Sequence, residues 1–467
     1  MTRKFKTADY DATLNLTIRL AEALPPNHLA RFIVDVIAQL DVSPIYARYG
    51  ERGGEPLAPE ILLGLLFYGY ATGVFSSRKI EKATFESIPF RFVAGGLHPD
   101  HDTLANFRKT FLPELHELFV QILLLAQVAG VLKLGNLSLD GSKIHADASK
   151  SKAVSYPVVC PAGNRRASGK RLGEVEAQLR QEVHELLRLG EQADQGDLSL
   201  PDGLVIPDEL ALRQARLENL AQAKAVLEAR ARERDAAEQA AYEAKVRERE
   251  EKAQKTKHKP RGRKPQPPQP GPRDKDQYNF TDPDSRIMKN STDDGFDQHY
   301  NVQAAVEQES FLIVAQALSN HPNDKGEALP TLNALSPKLG QPEAVALDNG
   351  FFSEGNIAGI AARGLEPYIA TGREPHHKSW RALVAEFPAP PSEDASPKVK
   401  MAYKLQTELG QAIYRLRKCT VEPVIGIIKE ILGFRQFSLR GLAAAAGEWC
   451  LVCLAFNLKR LHVLLAD

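Results

Sequence analysis

The stretch LSLDGSKIHADASK, residues Leu137–Lys150, decides how this chain is read. Leu137 and Leu139 alternate with Ser138 and Asp140, the period-two pattern of a half-buried strand, and the acid falls near its end. Working outward, two more acids stand in comparable places. Asp348 closes the apolar run of AVALDNGFF (344–352), and Glu422 lies in LRKCTVEPVIGIIKE (416–430). One carboxylate at a strand end means little. Three, each ending or flanking an apolar element, suggest a site that holds divalent metal against phosphate, because magnesium takes hard oxygen ligands and needs few of them from protein.

Local chemistry supports that placement. Asn349 and Gly350 signal a turn that leaves Asp348 at the rim of the core, and open α/β sheets bind ligands at strand ends. Pro423 either starts or kinks a helix beside Glu422. Lys429, seven residues on, falls on nearly the same helix side as Glu422, within reach of a phosphate. The alternatives stay open at this point: Asp147, Asp293, Asp294 and Asp324 are rival ligands, and an Asp-Asn-Gly turn is common without function.

At 467 residues the chain has length for two to four domains and a large core. Its 60 Lys+Arg against 59 Asp+Glu hide local asymmetry: Lys252–Lys275 and Tyr414–Lys418 are strongly basic, so a neutral total does not exclude a nucleic-acid partner. The four cysteines (Cys160, Cys419, Cys450, Cys453) form no disulfide framework, and the CxxC in WCLVCLAF reads as buried apolar helix and not as a zinc or redox motif. MTRKFKTADYD lacks a signal core and no uninterrupted apolar run has membrane-spanning length, which predicts a cytoplasmic protein with no membrane partner.

The organisation predicted is α/β with an all-α N-terminal domain. Residues 1–131 read as helical, with a helix starting at Pro59, Pro89 breaking another, and a short helix carrying Asn106, Arg108 and Lys109 as polar tips. These suit either a helix-turn-helix-like DNA-binding module or helices packing only on each other. Residues 132–157 hold the Asp140 strand. In 158–255, Leu172, Val175, Leu179, Val183 and Leu186, then Leu210, Leu217, Leu220 and Leu227, predict a helical hairpin with a coiled-coil-like seam, serving either dimerisation or packing on its own domain. Residues 256–277, rich in proline and charge, read as a disordered basic linker. From 278 to 467 a strand hairpin (about His299–Leu318), the AVALD strand, a strand at EPYIAT and a helical C-terminal third resume the α/β domain.

LDGSKIHADAS, NFTDPDSRIMK, GFDQHYNVQAAVE, ALDNGFF and YRLRKCTVEPVIGIIKEILGFRQFSLRG together, in this order, resemble motifs of bacterial insertion-sequence transposases of the DDE class, in the branch with a Tyr-Arg-Glu-Lys signature. The resemblance implies a ribonuclease-H-like catalytic core interrupted by the helical insertion, and magnesium as cofactor with manganese as a substitute. The implied activity is cleavage of the element's terminal inverted repeats and joining of the 3′-hydroxyl to target DNA, by a homodimer or larger assembly on double-stranded DNA. It assigns Asp140, Asp348 and Glu422 to metal and catalysis, and Tyr414, Arg417 and Lys429 to DNA contact. One spacing departs from the signature, which leaves three residues between its arginine and glutamate. Arg417 leaves four, Lys418 fits the spacing, and Arg415 then stands where the tyrosine would.

Further DNA contacts are open. Arg261 and Arg263 in RGRKP suit a minor-groove hook or a solvated linker. Asp282, Asp284, Arg286 and Lys289 are candidate loop residues near the site, Arg435 and Arg440 follow the Glu422 helix, and Trp449 belongs to the core. The rival to a transposase is a non-catalytic DNA-binding or scaffolding descendant of one; a third reading is a metal-dependent nuclease that cuts without joining.

Overall fold

Alternation places Leu137 and Leu139 on one face of a strand and Ser138 and Asp140 on the other, and the fold buries both faces. In this computed structural model the described residues are 19–50, 56–156, 170–194, 204–256, 264–273, 276–290, 295–372 and 389–466. Arg261, Arg263, Cys160, Asp293 and Asp294 lie outside them.

The strands are β1 (Leu137–His145), β2 (Ala153–Ser155), β3 (Lys170–Arg171), β4 (Gln277–Asn279), β5 (Arg286–Lys289), β6 (Phe296–Glu307), β7 (Ile313–Ser319), β8 (Ala344–Leu347) and β9 (Glu366–Ile369). β1 sits inside a six-stranded mixed sheet, antiparallel to β6 on one side and parallel to β8 on the other, with β9 parallel beyond β8. The twelve-residue β6 is long enough to carry β5 against its first residues and β7 against its last, both antiparallel. β2, β3 and β4 form a small separate sheet.

Leu137 and Leu139 belong to the main core, whose largest fully buried side chains include Trp449, Tyr70, Phe67 and Phe119. The Leu442–Leu464 helix runs through it against the Pro59–Ala71 and Leu112–Val128 helices and β7. This helix is by length and composition apolar enough to cross a membrane, although Glu448, Lys459 and Arg460 interrupt its apolar run; here its apolar residues serve the core. Cys450 and Cys453 are buried in it, and burial pushes the Cys450 thiol up to about 12. Trp449 donates its indole N–H to the Gln303 carbonyl at 3.1 Å.

The helix before Pro89 ends at Glu86, and Pro89 stands in the first turn of a new one (Ile88–Val93), since proline needs no N–H there. Two readings need correction. Arg108 is no exposed tip: it is 7% exposed, and donates to the Tyr70 hydroxyl at 2.7 Å. Residues 264–273 are not a free linker. They run back along the Ile206–Thr256 helix, where Arg234 donates to the Gly271 carbonyl at 2.9 Å and bridges Asp276 at 2.7 Å. The base of the helical insertion packs on its own chain, with Leu172, Leu179, Leu220 and Leu227 against Val154 of the small sheet.

Candidate active site

The parallel register sets the site. Leu139 pairs with Leu347, so Asp140 and Asp348 stand side by side, but only Asp348 lies past a strand end: Asp140, expected near the end of its strand, is fourth of the nine residues of β1 and still pairs with Ala304 of β6. Neighbouring strands run about 4.8 Å apart, which brings both acids together where β8 ends against the middle of β1. Asp348 accepts the Gly350 N–H at 2.8 Å, capping the turn that its Asn-Gly sequence announces. Asp140 accepts the Gly141 N–H at 2.8 Å. A side chain at Gly141 would meet Gln303 Nε2 at 2.3 Å and Asp324 Oδ1 at 2.6 Å, so this strand needs a glycine there. Asp324 itself, a rival ligand in sequence, accepts from Asn301 and Gln303 at 2.8 and 2.7 Å.

The Glu408–Gly426 helix brings the third acid. Ile413, Arg417, Thr420, Val421 and Val424 form its buried stripe at spacings of three and four. Thr420 donates to Ser138 Oγ at 2.7 Å, and Gln308 donates to the same oxygen at 3.0 Å, seating the helix on the Ser138–Asp140 face of β1. Arg417, one turn back, then reaches Asp140 Oδ2 from Nη1 at 3.0 Å and Glu422 Oε1 from Nη2 at 3.1 Å. Its side chain is 6% exposed, whereas that of Glu422 is 50% exposed.

Pro423 lies inside this helix, and the chain continues as a π-helical turn, Ile427–Ile431. Such turns are rare and concentrate at functional sites. This one carries Lys429, whose Nζ reaches Ser142 Oγ at 3.2 Å and the Lys143 carbonyl at 3.4 Å. Lys429 therefore lies along β1, two to three residues beyond Asp140.

Charge is unbalanced at this site. Burial pushes the Asp140 carboxyl up to about 6; Arg417 opposes the rise, and the charges of Asp348 and Glu422 add to it. The three acids thus act on one another. Burial works against the Arg417 charge, but Asp140, Tyr414 and Glu422 hold its pKa above the usual value. Its guanidinium lies 5.8 Å from the centre of the Tyr414 ring. Burial lowers Lys429. Three hard-oxygen donors with an excess of negative charge suit a divalent cation in kind. As they stand, no three acidic, His or Cys side chains among the described residues close into a ligand set, because Arg417 lies between two of them.

Other candidates fall elsewhere. Asp147 pairs with Arg440 at 2.8 Å, and Arg435 with Glu430. Arg286 and Lys289 are in β5 and not in a loop, and Arg286 donates to the Pro283, Asp284 and Ser285 carbonyls at 2.8–3.0 Å. Asp282 is buried under the Tyr300 hydroxyl at 2.8 Å. Lys418 is exposed on the same helix as Arg417. Sequence reasoning passed over Lys143, which with Lys289, Ser142, Asn290, Asn301 and Asp324 lines a cavity of about 220 Å³. The signal was there: alternation puts Lys143 on the Gly141 face of β1.

To a mixed α/β sheet with acids brought together on adjacent strands, preceded by helices, two family models add their own description. Residues 18–110 match the family described as Transposase domain (DUF772), and residues 392–462 match the Transposase DDE domain, a span that includes Tyr414, Arg417, Glu422 and Lys429. No curated protein and no solved structure matches the chain. The two domain matches, in this order, support an insertion-sequence transposase of the DDE class. That class consists of metal-dependent nucleotidyl-transfer enzymes that act on DNA.

Proposed function

We propose that this transposase cleaves the ends of its element and joins the freed 3′-hydroxyl to target DNA, using Asp140, Asp348 and Glu422 of a ribonuclease-H-like core as its metal-binding acids. The observation that carries the reading is the convergence of the three carboxylates: two on adjacent parallel strands in register, the third tied to the first through Arg417. The sheet order agrees with such a core, its first strand central, antiparallel to the next and parallel to the two that follow the hairpin.

Magnesium, or manganese in its place, would polarise the scissile phosphodiester and make the attacking oxygen a stronger nucleophile. The chain's own residues do the rest. Asp140, Asp348 and Glu422 hold the cation as carboxylates, so Asp140 must be ionised to serve. Lys429 and Lys418 offer ammonium groups to the phosphates flanking the scissile bond, and Tyr414 lies one turn before Lys418 on the Glu408–Gly426 helix. Arg417 meets DNA only once its carboxylate partners release it. Arg261 and Arg263 supply non-specific phosphate contact or a minor-groove hook. Two displacements follow in order, water at the element's end and then the freed 3′-hydroxyl at target DNA, each forming one P–O bond as another breaks. No covalent enzyme intermediate is needed.

The test is a magnesium reaction of the full chain with a plasmid and a labelled duplex of the gene's flanking DNA. Label joined to plasmid supports the transposase. Cleavage without joining favours a nuclease, and stable binding without cleavage a non-catalytic binder.

A further inference from the structure

Arg417 occupies the place in this site where cationic charge is needed. Its two terminal nitrogens take one oxygen from Asp140 and one from Glu422, at 3.0 and 3.1 Å, and these are two of the three acids assigned above to metal. Each oxygen it occupies is a ligand position that a divalent cation would need. A buried guanidinium that is purely structural is normally matched in charge, because a buried imbalance is costly. Arg417 is not: it bridges two carboxylates, and Asp348 adds a third negative charge to that pair.

We propose that Arg417 is a positioning residue that acts as a resident counter-ion, holding Asp140 and Glu422 together in the metal-free protein and giving up at least one of them when a divalent cation enters. This rests on the reading of the three acids as the metal set. The exchange has a route: Glu422 is half exposed, so the Arg417–Glu422 contact is the one solvent and ions reach first. It also has a resting place, since the Tyr414 ring already lies 5.8 Å from the guanidinium and aromatic faces hold such cations. Metal binding then includes the cost of displacing Arg417, which lowers the affinity that the bare acids would have.

The experiment is calorimetric titration of the full chain with Mn2+ at fixed pH without DNA, on wild type, Arg417→Gln and Arg417→Lys, with melting curves in parallel. The expected result is that Arg417→Gln melts lower without metal yet binds Mn2+ at least tenfold more tightly. Arg417→Lys, whose single point charge cannot bridge both carboxylates as the planar fork does, falls between. A merely structural arginine would lose stability and Mn2+ affinity together. Equal or weaker Mn2+ binding by Arg417→Gln overturns the proposal; if that variant does not fold, Arg417→Lys decides by the same criterion. Asp348→Ala separates the two failures. Binding that this variant abolishes but Arg417 variants leave unchanged sinks the counter-ion alone. No Mn2+ binding by any of the proteins sinks the metal site and the counter-ion with it.

Discussion

Two buried arginines, Arg108 and Arg417, do opposite things with the same chemistry. Arg108 lies 3.7 Å from Glu448, a carboxylate with no solvent exposure that also accepts the Tyr70 hydroxyl at 2.9 Å and the backbone N–H groups of Ser438 and Leu439 at 2.9 and 3.0 Å. One cation meets one fully bonded anion, and the cluster ties the N-terminal helices to the Leu442–Leu464 helix. Arg417 instead serves two carboxylates under the field of a third, and one of its partners faces water. A closed cluster contributes to holding the fold; an overcharged, half-open one has, on the function proposed above, capacity for a ligand. Functional sites often hold such destabilising charge.

Three substitutions test that contrast, in falling order of effect. Glu448→Ala should destabilise the protein by about 3–5 kcal/mol in denaturant melts, the cost of leaving a buried partner uncompensated. Asp140→Asn should do the reverse. The folded-state carboxyl of Asp140 sits at about 6, above its ordinary 3.8, so the folded protein prefers it protonated. This contribution favours the fold fully below about pH 4 and is lost as pH rises through about 6. At pH 8 without metal, Asp140→Asn should therefore stabilise by on the order of 2 kcal/mol, and the gain should vanish near pH 4. A destabilised Asp140→Asn at pH 8 would mean that the Arg417 pairing outweighs burial. Arg435→Ala, which breaks an exposed pair with Glu430, should change stability by less than about 0.5 kcal/mol.

Local pattern carried much of this. The alternation of β1, the Asn-Gly turn after Asp348 and the apolar spacing of the insertion are properties of a few neighbouring residues, and a sequence shows them directly. What it hid depends on distant partners. The resemblance assigns Arg417 to DNA contact, and nothing near it in sequence shows that it is buried; its burial follows from Thr420 seating the helix on Ser138, 282 positions away. Arg108 reads as a polar tip because its partners, Tyr70 and Glu448, stand 38 positions before it and far after it. A signal did exist for the second cluster: Glu448 is a lone acid in LAAAAGEWCLVCLAF, and an apolar core helix keeps such a residue only with a partner. The Pro-rich stretch misled for a similar reason, since Arg234 and Asp235 on the preceding long helix hold it.

The central claim is that Asp140, Asp348 and Glu422 work as one unit. The most direct measurement is the rate of magnesium-dependent end cleavage by Asp140→Ala, Asp348→Ala, Glu422→Gln and the triple variant, each checked for folding. Residues acting as a unit are non-additive, so each single substitution should cost about 10³-fold or more and the triple little beyond that. Cleavage at the wild-type rate by any one of the single variants would contradict the account.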